Sequence, residues 1–83
     1  MLNSQAKVKL AVDKESATLN VGFKPRSSRT LYDICDLNGR ILKTGGIDSS
    51  NTDVDLDGLS NKVYILLVLD GDRVFTEKFD LRS

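Results

Sequence analysis

Three aspartates at alternate positions, Asp53, Asp55 and Asp57, run into Gly58 and spell D-x-D-x-D-G, the opening of a calcium-binding loop. Hard cations collect several oxygen ligands, and alternate carboxylates in a tight loop can converge on one. The twelfth position of such a loop, where a bidentate glutamate closes the site, is here Tyr64. Val54 and Leu56 between the aspartates give the segment the alternation of a strand, which holds the carboxylates in an outward row. Asp53, Asp55 and Asp57 therefore stand as candidate metal ligands, with a solvated strand face as the default. Cys35 is the single cysteine, so neither an internal disulfide nor a thiolate zinc cluster can form. A nucleophilic thiol needs a neighbouring base, and the chain has no histidine. Cys35 lies in an apolar run and reads as a small hydrophobe. Carboxylates for glycoside chemistry are plentiful, but nothing points to a pocket. A phosphate-binding loop, G-x-S-x-G and a dinucleotide fingerprint are all missing from the sequence. No catalytic residue and no cofactor is assigned, and the chain is expected not to be an enzyme.

The elements that would position these residues are strands. Lys7–Asp13 alternates, with Val8, Leu10 and Val12 on one face. After the turn Lys14-Glu15-Ser16, Ala17–Phe23 alternates again, and the two runs read as a hairpin. Lys24–Arg29 holds the one proline and two serines and is a loop. Thr30–Leu37 puts Tyr32 and Ile34 on one face and Leu31, Cys35 and Leu37 on the other. Asn38-Gly39 then predicts a type I′ hairpin turn, with Arg40–Thr44 returning. Gly45–Asn51 reads as a flexible, turn-rich link, and Thr52–Leu56 alternates with Val54 and Leu56 inward. Lys62–Leu69 is apolar on both faces. Asp70-Gly71-Asp72 turns the chain into Arg73–Leu81, where Phe75, Glu77 and Phe79 share a row, a conflict that a bulge or an edge position relieves. Sustained helical period is missing. Strand signals every eight to twelve residues over 83 residues predict one domain, residues 1–83, with Met1–Ala6 a flexible tail. The expected fold is all-β, an immunoglobulin-like two-sheet sandwich of about seven antiparallel strands.

Charge excludes further classes. Twelve basic and twelve acidic residues balance to zero, which gives no overall pull toward nucleic acid. The basic segment up to Arg29 has only Phe23 as an aromatic, too few for base stacking. The longest apolar run, Val63–Leu69, is far short of the ~20 residues of a membrane helix. Met1–Ala6 carries neither the basic nor the apolar region of a signal peptide.

The order D-L-N-G-R-I-L (Asp36–Leu42), V-D-L-D-G-L (Val54–Leu59), V-Y-I-L-L-V (Val63–Val68) and D-G-D-R-V-F-T-E-K-F (Asp70–Phe79) resembles the C-terminal sorting domain of proteins exported by the type IX secretion system of Bacteroidetes. The matching positions are Asp36, Leu37, Gly39, Arg40, Leu56, Leu59, Tyr64, Leu66, Val68, Gly71 and Lys78. Two family features are missing: Lys62-Val63 stands where a glycine usually precedes the tyrosine segment, and an N-terminal proline-asparagine element is replaced by a plain hairpin. The resemblance implies a folded address at the end of a longer exported protein, secreted or held at the cell surface. It implies export-machinery proteins and a sortase-like protease as partners. The alternative is a small immunoglobulin-like structural or adhesive module of an exported Bacteroidetes protein.

One row stands apart from that resemblance. Tyr64, Leu66 and Val68 take the core face of their strand, which leaves Val63, Ile65, Leu67 and Leu69 on the other. In a two-layer sandwich each sheet buries only one face within the chain. The row is expected to be partly exposed and to form an interface with another copy, with cargo or with the export machinery.

Overall fold

Alternation becomes pairing in the computed structural model, which describes residues 8–82; the N-terminal tail and Lys7 lie outside the described residues. Seven strands occur among them: β1 (Lys9–Asp13), β2 (Thr18–Gly22), β3 (Thr30–Cys35), β4 (Ile41–Gly46), β5 (Asn51–Asp55), β6 (Val63–Asp70) and β7 (Arg73–Asp80). All pairs are antiparallel, in a three-stranded sheet β1-β2-β5 and a four-stranded sheet β4-β3-β6-β7. Among the described residues there is no helix. The first, second and fifth strands thus face the third, sixth and seventh, the immunoglobulin-like division, with β4 attached to β3.

The core lies between the sheets. Leu19, Val21 and Val54 come from the three-stranded side; Ile34, Tyr64, Leu66, Val68 and Phe79 come from the four-stranded side. Two ring contacts hold it: Tyr64 stacks on Phe79 with centroids 5.7 Å apart, and Phe23 meets Phe75 at 5.3 Å. The Tyr64 hydroxyl reaches the edge of the core and donates to the Ser60 carbonyl at 2.7 Å, so a large ring is buried without orphaning its polar end. The row Phe75, Glu77, Phe79 runs in unbroken register with β6, and β7 is an edge strand. The edge position, rather than a bulge, is what lets Glu77 sit half-buried beside two aromatics.

Two expectations change. Gly45–Asn51 is not a flexible link throughout: β4 extends to Gly46, and Ile47 is 4% exposed within the core. The Ile47 amide donates to the Thr30 carbonyl at 2.9 Å, and the Phe23 amide donates to that of Ser50 at 3.1 Å, so the segment is pinned to its neighbours. Gly45 is needed there. A Cβ at that position would lie 2.6 Å from the Tyr32 ring, which packs across the bare backbone.

Asp70, expected only as a turn residue, is buried and ties the Lys24–Arg29 loop to the sheet. Its Oδ1 accepts from the Ser27 amide at 3.0 Å and Thr30 Oγ1 at 2.8 Å. Its Oδ2 accepts from the Arg26 amide and the Arg73 guanidinium, both at 3.2 Å. Burial pushes this carboxyl upward, but the hydrogen bonds from Thr30, Arg26, Arg73 and Ser27 outweigh it and hold the group below the usual carboxylate range.

Candidate functional site

The β3–β4 connection carries the first cluster of motif residues. The Asp36 carbonyl accepts from the Gly39 amide at 3.1 Å, which makes Leu37 and Asn38 the central residues of the turn. Gly39 follows at φ +87°, and Asn38 is not among the residues with positive φ. This is a type I turn with a glycine bulge rather than the expected type I′ turn centred on Asn38-Gly39. The reason is Asp36. Its Oδ1 accepts from the amides of Asn38 and Arg40, both at 2.9 Å, and its own amide donates to the Arg40 carbonyl at 3.0 Å. A carboxylate that captures two backbone donors outweighs the intrinsic Asn-Gly preference.

The turn leaves Leu37 60% exposed at the rim of a groove of about 480 Å³ on the outer face of the four-stranded sheet. Cys35, Ile65 and Leu67 line it from β3 and β6, and Lys78 from β7, with Asp36 and Gly39 at the turn end. Ladder register explains the convergence, because Ile65 stands between Cys35 on one side and Lys78 on the other. Cys35 is 5% exposed. Burial pushes its thiol upward, and the nearby carboxylates of Asp33 and Asp36 add to the shift, which keeps the sulfur protonated and a poor nucleophile at neutral pH.

The other motif residues divide by role. Tyr64, Leu66 and Val68 are buried on the inner face of β6, with Leu56 beside them in the core and Leu59 packed against it. Gly71, at φ +64°, turns β6 into β7. Arg40 and Lys78 are exposed. Val63, Ile65, Leu67 and Leu69 lie half-buried along the outer face of β6. The candidate metal ligands form no closed loop. Asp53 and Asp55 are exposed on β5; Asp53 accepts from the Asn20 side-chain amide at 2.8 Å, and Asp55 accepts from the Asp57 backbone amide at 2.9 Å. Among the described residues no group of three or more acidic or thiol side chains is placed to hold a metal ion, and no helix is long and apolar enough to cross a membrane. Among the described residues the large hydrophobics that stay exposed, Leu31, Leu37, Ile41, Leu42 and Val74, all belong to the four-stranded sheet or its turn. Only Leu31 and Leu37 among them were assigned a face from sequence; Ile41 and Val74 join that face through register.

The motif residues of this small sandwich either build turns and core or stand at its surface. Its aromatic rings are buried or packed against the core, so they form no exposed platform of the kind an adhesive module would present. The chain matches the family of secretion system C-terminal sorting domains over residues 15–81, most of its length, and belongs to that family. Domains of this family are C-terminal sorting signals for type IX secretion and mark longer proteins for the cell surface or for release. The family is in general non-catalytic, and its function implies contact with the export machinery. No curated protein matches the chain.

Proposed function

We propose that the chain acts without catalysis as a single folded address, residues 1–83, and that the export machinery reads the end of the four-stranded sheet where Leu37, Arg40 and Lys78 are presented. The observation that carries this reading is the meeting of separate motif segments at one place: Asp36, Leu37 and Gly39 from the β3–β4 turn and Lys78 from β7 line the same groove. Tyr64, Leu66, Val68 and Leu59 then matter through the core that holds this end in shape. After export a sortase-like protease removes the domain from its cargo.

The test is a secreted reporter carrying this domain at its C-terminus in a bacterium with type IX machinery. The double variant Leu37→Ser, Arg40→Ser alters only exposed side chains, so its melting temperature should match the parent while the reporter no longer reaches the surface. Unchanged export of that variant would refute the reading. Mass spectrometry of the exported reporter tests removal: cargo that still carries the domain would overturn the protease step.

A further inference from the structure

The two outer faces of the sandwich differ in kind. On the three-stranded sheet the outward positions are Lys9, Ala11 and Asp13 on β1, Thr18, Asn20 and Gly22 on β2, and Asn51, Asp53 and Asp55 on β5. That surface suits water. On the four-stranded sheet, register places Leu31, Leu69 and Val74 in one row, and Ile41, Cys35 and Ile65 in another beside Lys78. Leu67 lies between these rows and Val63 beyond them. Leu31, Ile41 and Val74 are each at least half exposed. Only Asp33, Lys78 and Asp80 bring charge to the face, and Asp80 is already paired with Arg82 at 2.7 Å. Neither Asp33 nor Lys78 makes a salt bridge among the described residues.

We propose that this face pairs with the same face of a second copy of the chain, about a two-fold axis parallel to β6. The two unpaired charges argue for that occupant and that axis. Asp33 stands on β3, level with Leu67, and Lys78 on β7, level with Ile65; the two flank the central strand on opposite sides. A two-fold axis along β6 lays β3 of one copy over β7 of the other, so each Asp33 meets the partner copy's Lys78, twice per dimer. The offset is two residues along the strand, about 6.6 Å, across a sheet separation of about 10 Å, and a lysine stem spans it. An axis across the strands would instead stack β3 on β3 and leave both charges without partners.

The size of the face sets the strength. Four strands spaced about 4.8 Å apart and seven residues of β6 at about 3.3 Å each outline about 400 Å² per copy. Stable dimers bury about 800 Å² per partner, so this pairing is weak and reversible. The face has the size of the largest, often functional, apolar patch on a typical monomer. Because Cys35, Ile65, Leu67 and Lys78 also line the groove, a paired copy cannot present that groove at the same time.

Sedimentation velocity of the purified chain over a wide concentration range tests the pairing, with circular dichroism melts to confirm that each variant folds. The parent should show concentration-dependent dimers. Asp33→Lys and Lys78→Asp should each weaken association by about tenfold, the effect of about 1.4 kcal/mol. An equimolar mixture of the two variants, or both changes in one chain, should restore it. Val74→Ser, on an exposed edge residue, should weaken association without loss of fold. A parent that stays monomeric at every concentration overturns the pairing and leaves the face to a different protein. Dimers indifferent to both charge reversals overturn it too, since the contact would then lie elsewhere.

Discussion

Replacing Gly39 with alanine isolates the cost of one backbone conformation. At φ +87° an ordinary residue pays about 1–2 kcal/mol to hold its Cβ against the following carbonyl. A Cβ at Gly39 would meet no atom within 4 Å, so no packing penalty adds to that figure. The expected loss is therefore about 1–2 kcal/mol, and somewhat more for valine, whose branched side chain resists this region further. For a domain of this size each kcal/mol lowers the melting temperature by about 4–8 °C, so alanine should lower it by about 4–16 °C. The companion variant is Asn38→Ala. In the observed turn Asn38 has negative φ, and its amide, which bonds to Asp36, survives the change; its stability should move by less than about 0.5 kcal/mol. Urea titration of the two variants reads both numbers. A neutral Gly39→Ala beside a costly Asn38→Ala would refute the assigned turn, because the strained position would then be the asparagine.

Further outcomes are expected elsewhere in the fold. Tyr64→Phe should lose about 1–2 kcal/mol in the same titration, since it deletes the 2.7 Å bond to the Ser60 carbonyl and leaves that acceptor short of a partner. Thr52→Val should gain up to about 1 kcal/mol, because Thr52 Oγ1 is buried without a hydrogen-bond partner; a loss would show that the hydroxyl is satisfied. The depressed carboxyl of Asp70 fixes the sign of one pH effect. Its contribution is fully present above the ordinary carboxylate value of about 4 and is lost as pH falls through the lower folded value. The urea midpoint of the parent should fall on acidification below that point, and Asp70→Asn should flatten this dependence. Calcium or a chelator should leave the melting temperature unchanged, and an upward shift with calcium would revive Asp53, Asp55 and Asp57 as ligands.

Period-two alternation made several strands legible in advance, because inward and outward residues of Thr18–Gly22 and Asn51–Asp55 differ plainly in polarity. Val63–Asp70, apolar on both faces, was legible instead as a short apolar run between turn signals. Ile47 escaped notice for the opposite reason: one apolar residue among glycine, serine and aspartate has no period to reveal it. The β3–β4 turn was placed but given the wrong type, since the dipeptide preference of Asn38-Gly39 says nothing of a carboxylate two residues upstream that captures backbone amides. Asp70 looked like turn chemistry because its partners, Arg26 and Ser27, lie more than forty residues away. The groove was out of reach for the same cause. Leu37 and Lys78 meet only through the register of β3, β6 and β7, which a one-residue slip would reverse.

The pairing pattern also orders events in time. Three hairpins, β1–β2, β3–β4 and β6–β7, join neighbours in sequence and can form within microseconds. The sheets are completed by two distant pairings, β2 with β5 and β3 with β6, in which Thr30 must find Asp70. Such long-range closure is slow, and the four-stranded sheet cannot close until β6 has been made. A cargo protein whose synthesis stops before β6 therefore never displays the groove, because one side of it has no strand to stand on. On the proposed reading of the groove, such a truncated molecule carries no address for the export machinery to read.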